Sequence, residues 1–161
     1  MPPDEPHPVA LSPPECAILV GLPGAGKTTF YRAHFAQTHR HVSKDLFPGA
    51  RDRQARQDRL LHEALAAGVS VAVDNTNPSP ADRAAIIRIA REHGARVVAY
   101  FVEATTREAV ARNRGREGRA RVPNVAIFAC AKRLIPPSRE EGLDEVFRVT
   151  PRDGTFAVEP A

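Results

Sequence analysis

Cysteine is scarce in this chain, and the two present, Cys16 and Cys130, lie far apart without CxxC or histidine-flanked spacing. That pattern argues against a disulfide framework or a cysteine metal site and for two small buried hydrophobes, as suits a reducing compartment. Long apolar runs are also missing. No stretch of 18 residues is uninterrupted, so neither a transmembrane helix nor a membrane partner is expected. The N-terminus lacks the basic-then-apolar pattern of a secretion signal, which makes a cytoplasmic location the expectation. Beyond residue 14 no Gly/Ser linker, low-complexity run or internal repeat divides the chain. Lysine is nearly absent, three residues against 20 arginines, so each surviving lysine needs a reason.

What remains is the mixture of one globular domain: 161 residues, 42% hydrophobic and 26% charged, enough for a single ordinary core. The formal charge is +4, and it is concentrated. Between Arg107 and Arg121 stand six arginines (Arg107, Arg112, Arg114, Arg116, Arg119, Arg121) against only Glu108 and Glu117, which accounts for the whole excess. Residues 1–14 hold six prolines and read as a tail, residues 15–150 as the domain, and residues 151–161 as a C-terminal tail.

Within the domain, short apolar runs alternate with longer amphipathic stretches. Strands are predicted over 16–20, 41–44, 69–74, 96–102 and 146–149. Helices are predicted over 27–37, 52–67, from a Ser79 cap to about His93, from Thr105 or Thr106 to about Asn113, and over 124–134. On the last of these, Val125, Phe128 and Leu134 are spaced for one inward face. Strand-then-helix alternation predicts a parallel sheet covered on both faces.

Directly after the first strand comes GLPGAGKT, residues 21–28, which matches GxxxxGK[ST] in its required strand–loop–helix setting. Gly21, Gly24 and Gly26 let the backbone turn tightly and, with Pro23, Ala25 and Thr29 around them, bring N–H groups onto phosphate oxygens. The next helix points its positive end at the same anion. Lys27, one of the three lysines, would reach the β- and γ-phosphates, and the Thr28 hydroxyl would meet Mg²⁺. The expected fold is therefore an α/β P-loop NTPase of the adenylate-kinase-like kind, a three-layer sandwich with a five-stranded parallel sheet. An arginine-rich lid is expected over about 112–123.

No [NT]KxD string is present to read a guanine base, and 161 residues are too few for a large motor ATPase. The size suits a small kinase whose lid excludes water from the transferring phosphate. Asp45 follows the second strand and Asp74 ends the third, so both should emerge at the carboxyl edge of the sheet beside the phosphate loop. Either could accept a hydroxyl proton or orient Mg²⁺ through water.

Five segments together resemble the kinase domain of 5′-polynucleotide kinases: GLPGAGKTTF (21–30), HVSKD (41–45), VAVDNTNPSPADR (71–83), ARNRGRE (111–117) and the pair Val122-Pro123. The resemblance spans roughly residues 16–149 and implies ATP as donor, Mg²⁺, and a 5′-hydroxyl of DNA or RNA as acceptor. It implies Asp45 as general base, Lys27 and Thr28 at the phosphates and metal, and Arg116 on the donor phosphates with Arg112 as a second contact. Asp74, Asn75 and Asn77 would support the substrate side. One position departs from the phage-type pattern: Pro48 stands where an arginine would grip the acceptor phosphate, so either Arg51, the nearest arginine, binds the substrate there or the acceptor is held differently. Arg119 and Arg121 match no donor contact and would meet the acceptor strand or solvent. No DxDGT-type string is present, so a phosphatase partner domain is not expected in this chain, nor is an obligate protein partner inferred. Two other readings stay open, a P-loop kinase for a small-molecule hydroxyl and a non-enzymatic nucleotide-binding protein.

Overall fold

A computed structural model describes residues 12–161; residues 1–11 of the tail expected over 1–14 lie outside them. The apolar runs form β1 (Glu15–Val20), β2 (Arg40–Val42), β3 (Val71–Asp74), β4 (Arg96–Val102), β5 (Glu145–Arg152) and β6 (Thr155–Pro160). Between them lie α1 (Lys27–His34), α2 (Arg53–Ala66), α3 (Pro80–Glu92), α4 (Thr106–Arg114) and α5 (Asn124–Arg133). The sheet order is β2-β3-β1-β4-β5-β6, with β1 flanked by β3 and β4 in parallel.

Every second residue of a strand faces the same way, and both faces of β1 are apolar because both are covered. Cys16, Ile18 and Val20 join Leu61 and Leu65 of α2 and Ile86 and Ile89 of α3. Ala17 and Leu19 join Phe30 of α1, Ala109 of α4 and Ile127 of α5 on the opposite face. Three layers result. Side-chain caps set the helix starts: Asp52 accepts from the Ala55 N–H, while Ser79 with Asp82 and Thr105 with Glu108 form capping boxes.

Among the described residues the sheet has six strands rather than five and is mixed rather than purely parallel. Residues 151–161 are no tail: they finish β5 and form β6, which pairs antiparallel with it, Val149 opposite Val158. The turn is Asp153-Gly154, both at positive φ (47° and 75°), a tight hairpin. β6 brings Phe156 edge-on to Phe30, 5.3 Å between ring centres. The second strand ends at Val42, because the Ser43 hydroxyl then accepts from the Asp45 N–H and starts a single helical turn over Lys44–Leu46. On α5 the inward residue is Ile127, whereas Val125 (71% exposed) and Phe128 (49%) face outward.

Candidate active site

Gly21–Thr28 links the end of β1 to α1 and brings the phosphate-loop residues together. Gly24 and Gly26 adopt φ of +83° and +101°, which L side chains rarely tolerate. A Cβ at Gly24 would lie 2.6 Å from the Ala109 carbonyl oxygen, and one at Gly26 would lie 2.5 Å from Arg112 Nη1. α1 has no side-chain cap and no acidic residue in its first turn, so its positive end is kept for an anion. Lys27 is buried, and its ammonium donates to the Gly21 and Leu22 carbonyls (2.9 and 2.7 Å).

Burial pushes the Lys27 ammonium down to about 8, against a counter-pull from Asp74. Asp74 ends β3 and sits in the next strand over. Burial works to raise its carboxyl, but hydrogen bonds from His41 and Thr28, with the Lys27 charge, override burial and hold it below the usual carboxylate value. Thr28 Oγ1 donates to Asp74 Oδ2 at 2.7 Å, and His41 Nε2 lies 2.8 Å from the same oxygen. A hydroxyl and a carboxylate side by side at the phosphate loop are the hard oxygen donors that magnesium prefers, so the residues fit that ion.

An open cleft of about 870 Å³ runs along this edge of the sheet. It brings Lys27, Thr28 and Asp74 together with Asp45 and Arg116, and Pro23 and Thr29 also line it. Asp45 is exposed on the helical turn after β2. Arg116 donates to the Ala120 carbonyl within the lid (3.3 Å). Arg112 instead holds the loop from behind, its Nη1 donating to the Ala25 carbonyl at 2.7 Å. The segment expected as a lid is laced by buried Asn113, whose amide donates to the Val122 carbonyl (2.6 Å) and accepts from the Val122 N–H (3.0 Å).

The DNTNP string is accounted for chiefly by bonds that shape the loop. Asn75 accepts from the Lys44 N–H and donates to Gln57 Oε1, which ties the helical turn that carries Asp45 to α2. The Thr76 carbonyl accepts from the Gly21 N–H. Asn77, buried and at φ +44°, donates to the Leu19 carbonyl. Its own carbonyl accepts from Arg83, a fully buried guanidinium paired with Glu141 at 2.8 Å.

A family model described as an AAA domain matches residues 17–137. The chain belongs to this family, AAA_33. Its fold is that of the P-loop kinases. The bifunctional polynucleotide phosphatase/kinase of Schizosaccharomyces pombe is 27% identical over 141 residues, 84% of this chain and 33% of that protein. The chain thus spans about a third of the length of that relative. Kti12 of Chaetomium thermophilum, solved with ADP-AlF3, superposes with a TM-score of 0.68 at 16% identity, over 86% of this chain and 90% of the other. A gluconokinase from Sinorhizobium meliloti gives 0.61 at 17% identity, over 87% and 84%. At those identities the likeness shows the fold alone.

Against the AAA_33 frame, several site residues had no motif to mark them. Arg32 of α1 and Arg53 of α2 line the cleft, and Arg53 donates to the Pro48 carbonyl at 3.0 Å. Arg51 is exposed and does not line it, because Asp52 caps α2 and leaves Arg51 ahead of the helix. His41 stands in the HVSKD string, but nothing local marks it as a partner of Asp74 on the neighbouring strand. The depressed Lys27 value makes one prediction. Bound phosphates favour the ammonium, so above about pH 8 ADP binding must take up a proton. The Kd for ADP should stay level from about pH 7 to 8, then weaken by up to roughly tenfold per unit, and Lys27→Met should abolish the bend. Calorimetric titration across that range checks it.

Proposed function

We propose that this chain is an ATP-dependent kinase that transfers the γ-phosphate to the 5′-hydroxyl of a polynucleotide, DNA or RNA. The observation that carries this reading is the cleft: it is open to solvent, and seven arginines and lysines face only four aspartates along it. A phosphodiester strand suits such a surface. A small neutral acceptor calls instead for a closed pocket with a few converging polar groups. The name of the fission-yeast relative supports the same acceptor.

In the proposed reaction Asp45 accepts the acceptor hydroxyl's proton while its oxygen attacks the γ-phosphorus. The bond from that phosphorus to the β–γ bridging oxygen breaks, and ADP leaves. Lys27 and Arg116 compensate the charge that spreads over the phosphate oxygens. Thr28 and Asp74 would hold magnesium, which when bound neutralises β- and γ-phosphate charge. Arg32, Lys44 and Arg53 share the cleft with Asp45 and would meet the acceptor's phosphates in this reading.

The test is transfer of labelled γ-phosphate from ATP to 5′-OH oligonucleotides, beside a panel of sugars, sugar acids and nucleosides. Transfer to oligonucleotides alone is expected. Transfer only to a small alcohol would make the chain a small-molecule kinase, and nucleotide binding with no transfer to any acceptor would make it a binder. The lid separates two of its arginines: Arg119 lines the cleft and Arg121 does not. Arg119→Ala should therefore reduce the log–log salt slope of oligonucleotide KM by about 0.7. Arg121→Ala should leave it unchanged. Equal slopes for wild type and Arg119→Ala would remove Arg119 from the acceptor path.

A further inference from the structure

We infer that His41 is a positioning residue for the magnesium–nucleotide complex: it anchors Asp74 so that the carboxylate and the Thr28 hydroxyl are set for the cation before nucleotide arrives. This rests on the reading of Thr28 and Asp74 as the magnesium-holding pair.

The backbone places it there. β2 and β3 run parallel with His41 opposite Ala72, and Asp74 follows two residues later on the same face as Ala72. The imidazole thus leans along the strand to the carboxylate, and its Nε2 lies 2.8 Å from Oδ2. Thr28 Oγ1 donates to that same Oδ2 at 2.7 Å. With its proton committed to Asp74, the hydroxyl keeps its lone pairs for a cation. Thr28 can hold that orientation only while Asp74 keeps its own.

The ring is itself braced. Tyr31 of α1 stacks on His41 with centroids 4.1 Å apart and planes at 16°, and the Tyr31 hydroxyl donates to the His39 carbonyl at 2.8 Å. The phosphate-loop helix, the edge strand and the metal-holding carboxylate thus meet at one imidazole. Partners that orient a metal ligand without touching the metal typically change metal affinity by about 10–100-fold when removed.

The experiment measures binding rather than turnover. A fluorescent ADP analogue is titrated into the full chain, once in EDTA and once in saturating magnesium, and the ratio of the two Kd values is the readout. Wild type should bind more tightly with magnesium. His41→Phe, which keeps the stack on Tyr31 and loses the hydrogen bond, should leave the EDTA value within about threefold and cut the magnesium-dependent gain roughly 10–100-fold. His41→Gln, whose amide N–H can replace Nε2–H, should restore most of the gain.

A wild-type gain retained in His41→Phe overturns the role. So does equal weakening with and without magnesium in both variants, together with a lowered Tm, which marks a residue that only supports the fold. If wild type itself shows no magnesium gain, the reading of Thr28 and Asp74 falls and this role with it. Should His41→Phe fail to fold, His41→Gln and His41→Asn carry the same comparison, since the shorter amide of asparagine cannot take the Nε2 position.

Discussion

Lys27→Met should lower phosphoryl transfer by at least about 10²–10³-fold, the cost of removing one preorganised charge from a reacting centre. The methionine keeps most of the buried stem, so the loss is one of charge rather than of packing. In the structure that ammonium is held against the Gly21 and Leu22 carbonyls at the very loop that would receive the β- and γ-phosphates. Neither of the other lysines replaces it: Lys44 lies on the turn after β2 and Lys132 on α5. The fold should survive, because burial already disfavours the charged form. Transfer to a 5′-OH oligonucleotide is the measurement, with a thermal melt as control. A variant that melts normally and turns over within a few-fold of wild type would overturn the phosphate-loop role of Lys27.

Asp45→Asn should keep nucleotide binding and lose about 10²–10⁴-fold in transfer, the range that general-base catalysis contributes. The amide retains the shape of the carboxylate and cannot take a proton from the acceptor. Asp45 is exposed in the cleft on a turn whose geometry is set by Ser43 and by Asn75, so the substitution disturbs no buried network. Kd for ADP by calorimetry and single-turnover transfer separate the two effects. Asp74 is the less accessible carboxylate, since it is buried and both Thr28 and His41 bond to its Oδ2. Near-normal transfer by Asp45→Asn would remove Asp45 as the general base.

The donor half of the site is written in contiguous residues. Gly24, Gly26, Lys27 and Thr28 act through one loop and one helix end, so their spacing alone predicts the cradle the structure contains. Asp45 and Asp74 could be placed at the same sheet edge because parallel strands deliver their carboxyl ends to one side. The proposed acceptor half is assembled from distant elements. Arg32 comes from α1 and Arg53 from α2, and no local pattern distinguishes these two from other arginines in an arginine-rich chain, whereas Arg119 comes from the basic run before α5 that the sequence does mark. Arg51, nearer to Asp45 in sequence, is excluded from the cleft by the Asp52 cap one residue later.

By itself, then, the sequence determined the layer order, the phosphate loop and the helix starts, because period, glycine placement and capping act over a few residues. It did not determine β6: Asp153-Gly154 is a hairpin-turn pair, but the six residues Thr155–Pro160 behind it gave little sign of a strand until β5 was there to pair with. Tertiary structure alone decided which face of α5 is buried: Ile127 meets the α1 side of the sheet, and Val125 and Phe128 are left outside. It also decided the work of Asn75, Asn77 and Arg83, which bond mainly to backbone and side chains 6 to 58 residues away, and the meeting of His41 with Asp74 and Thr28. Hydrogen bonds of that range depend on how strands register and helices dock, and those are properties of the assembled core rather than of any local run of residues.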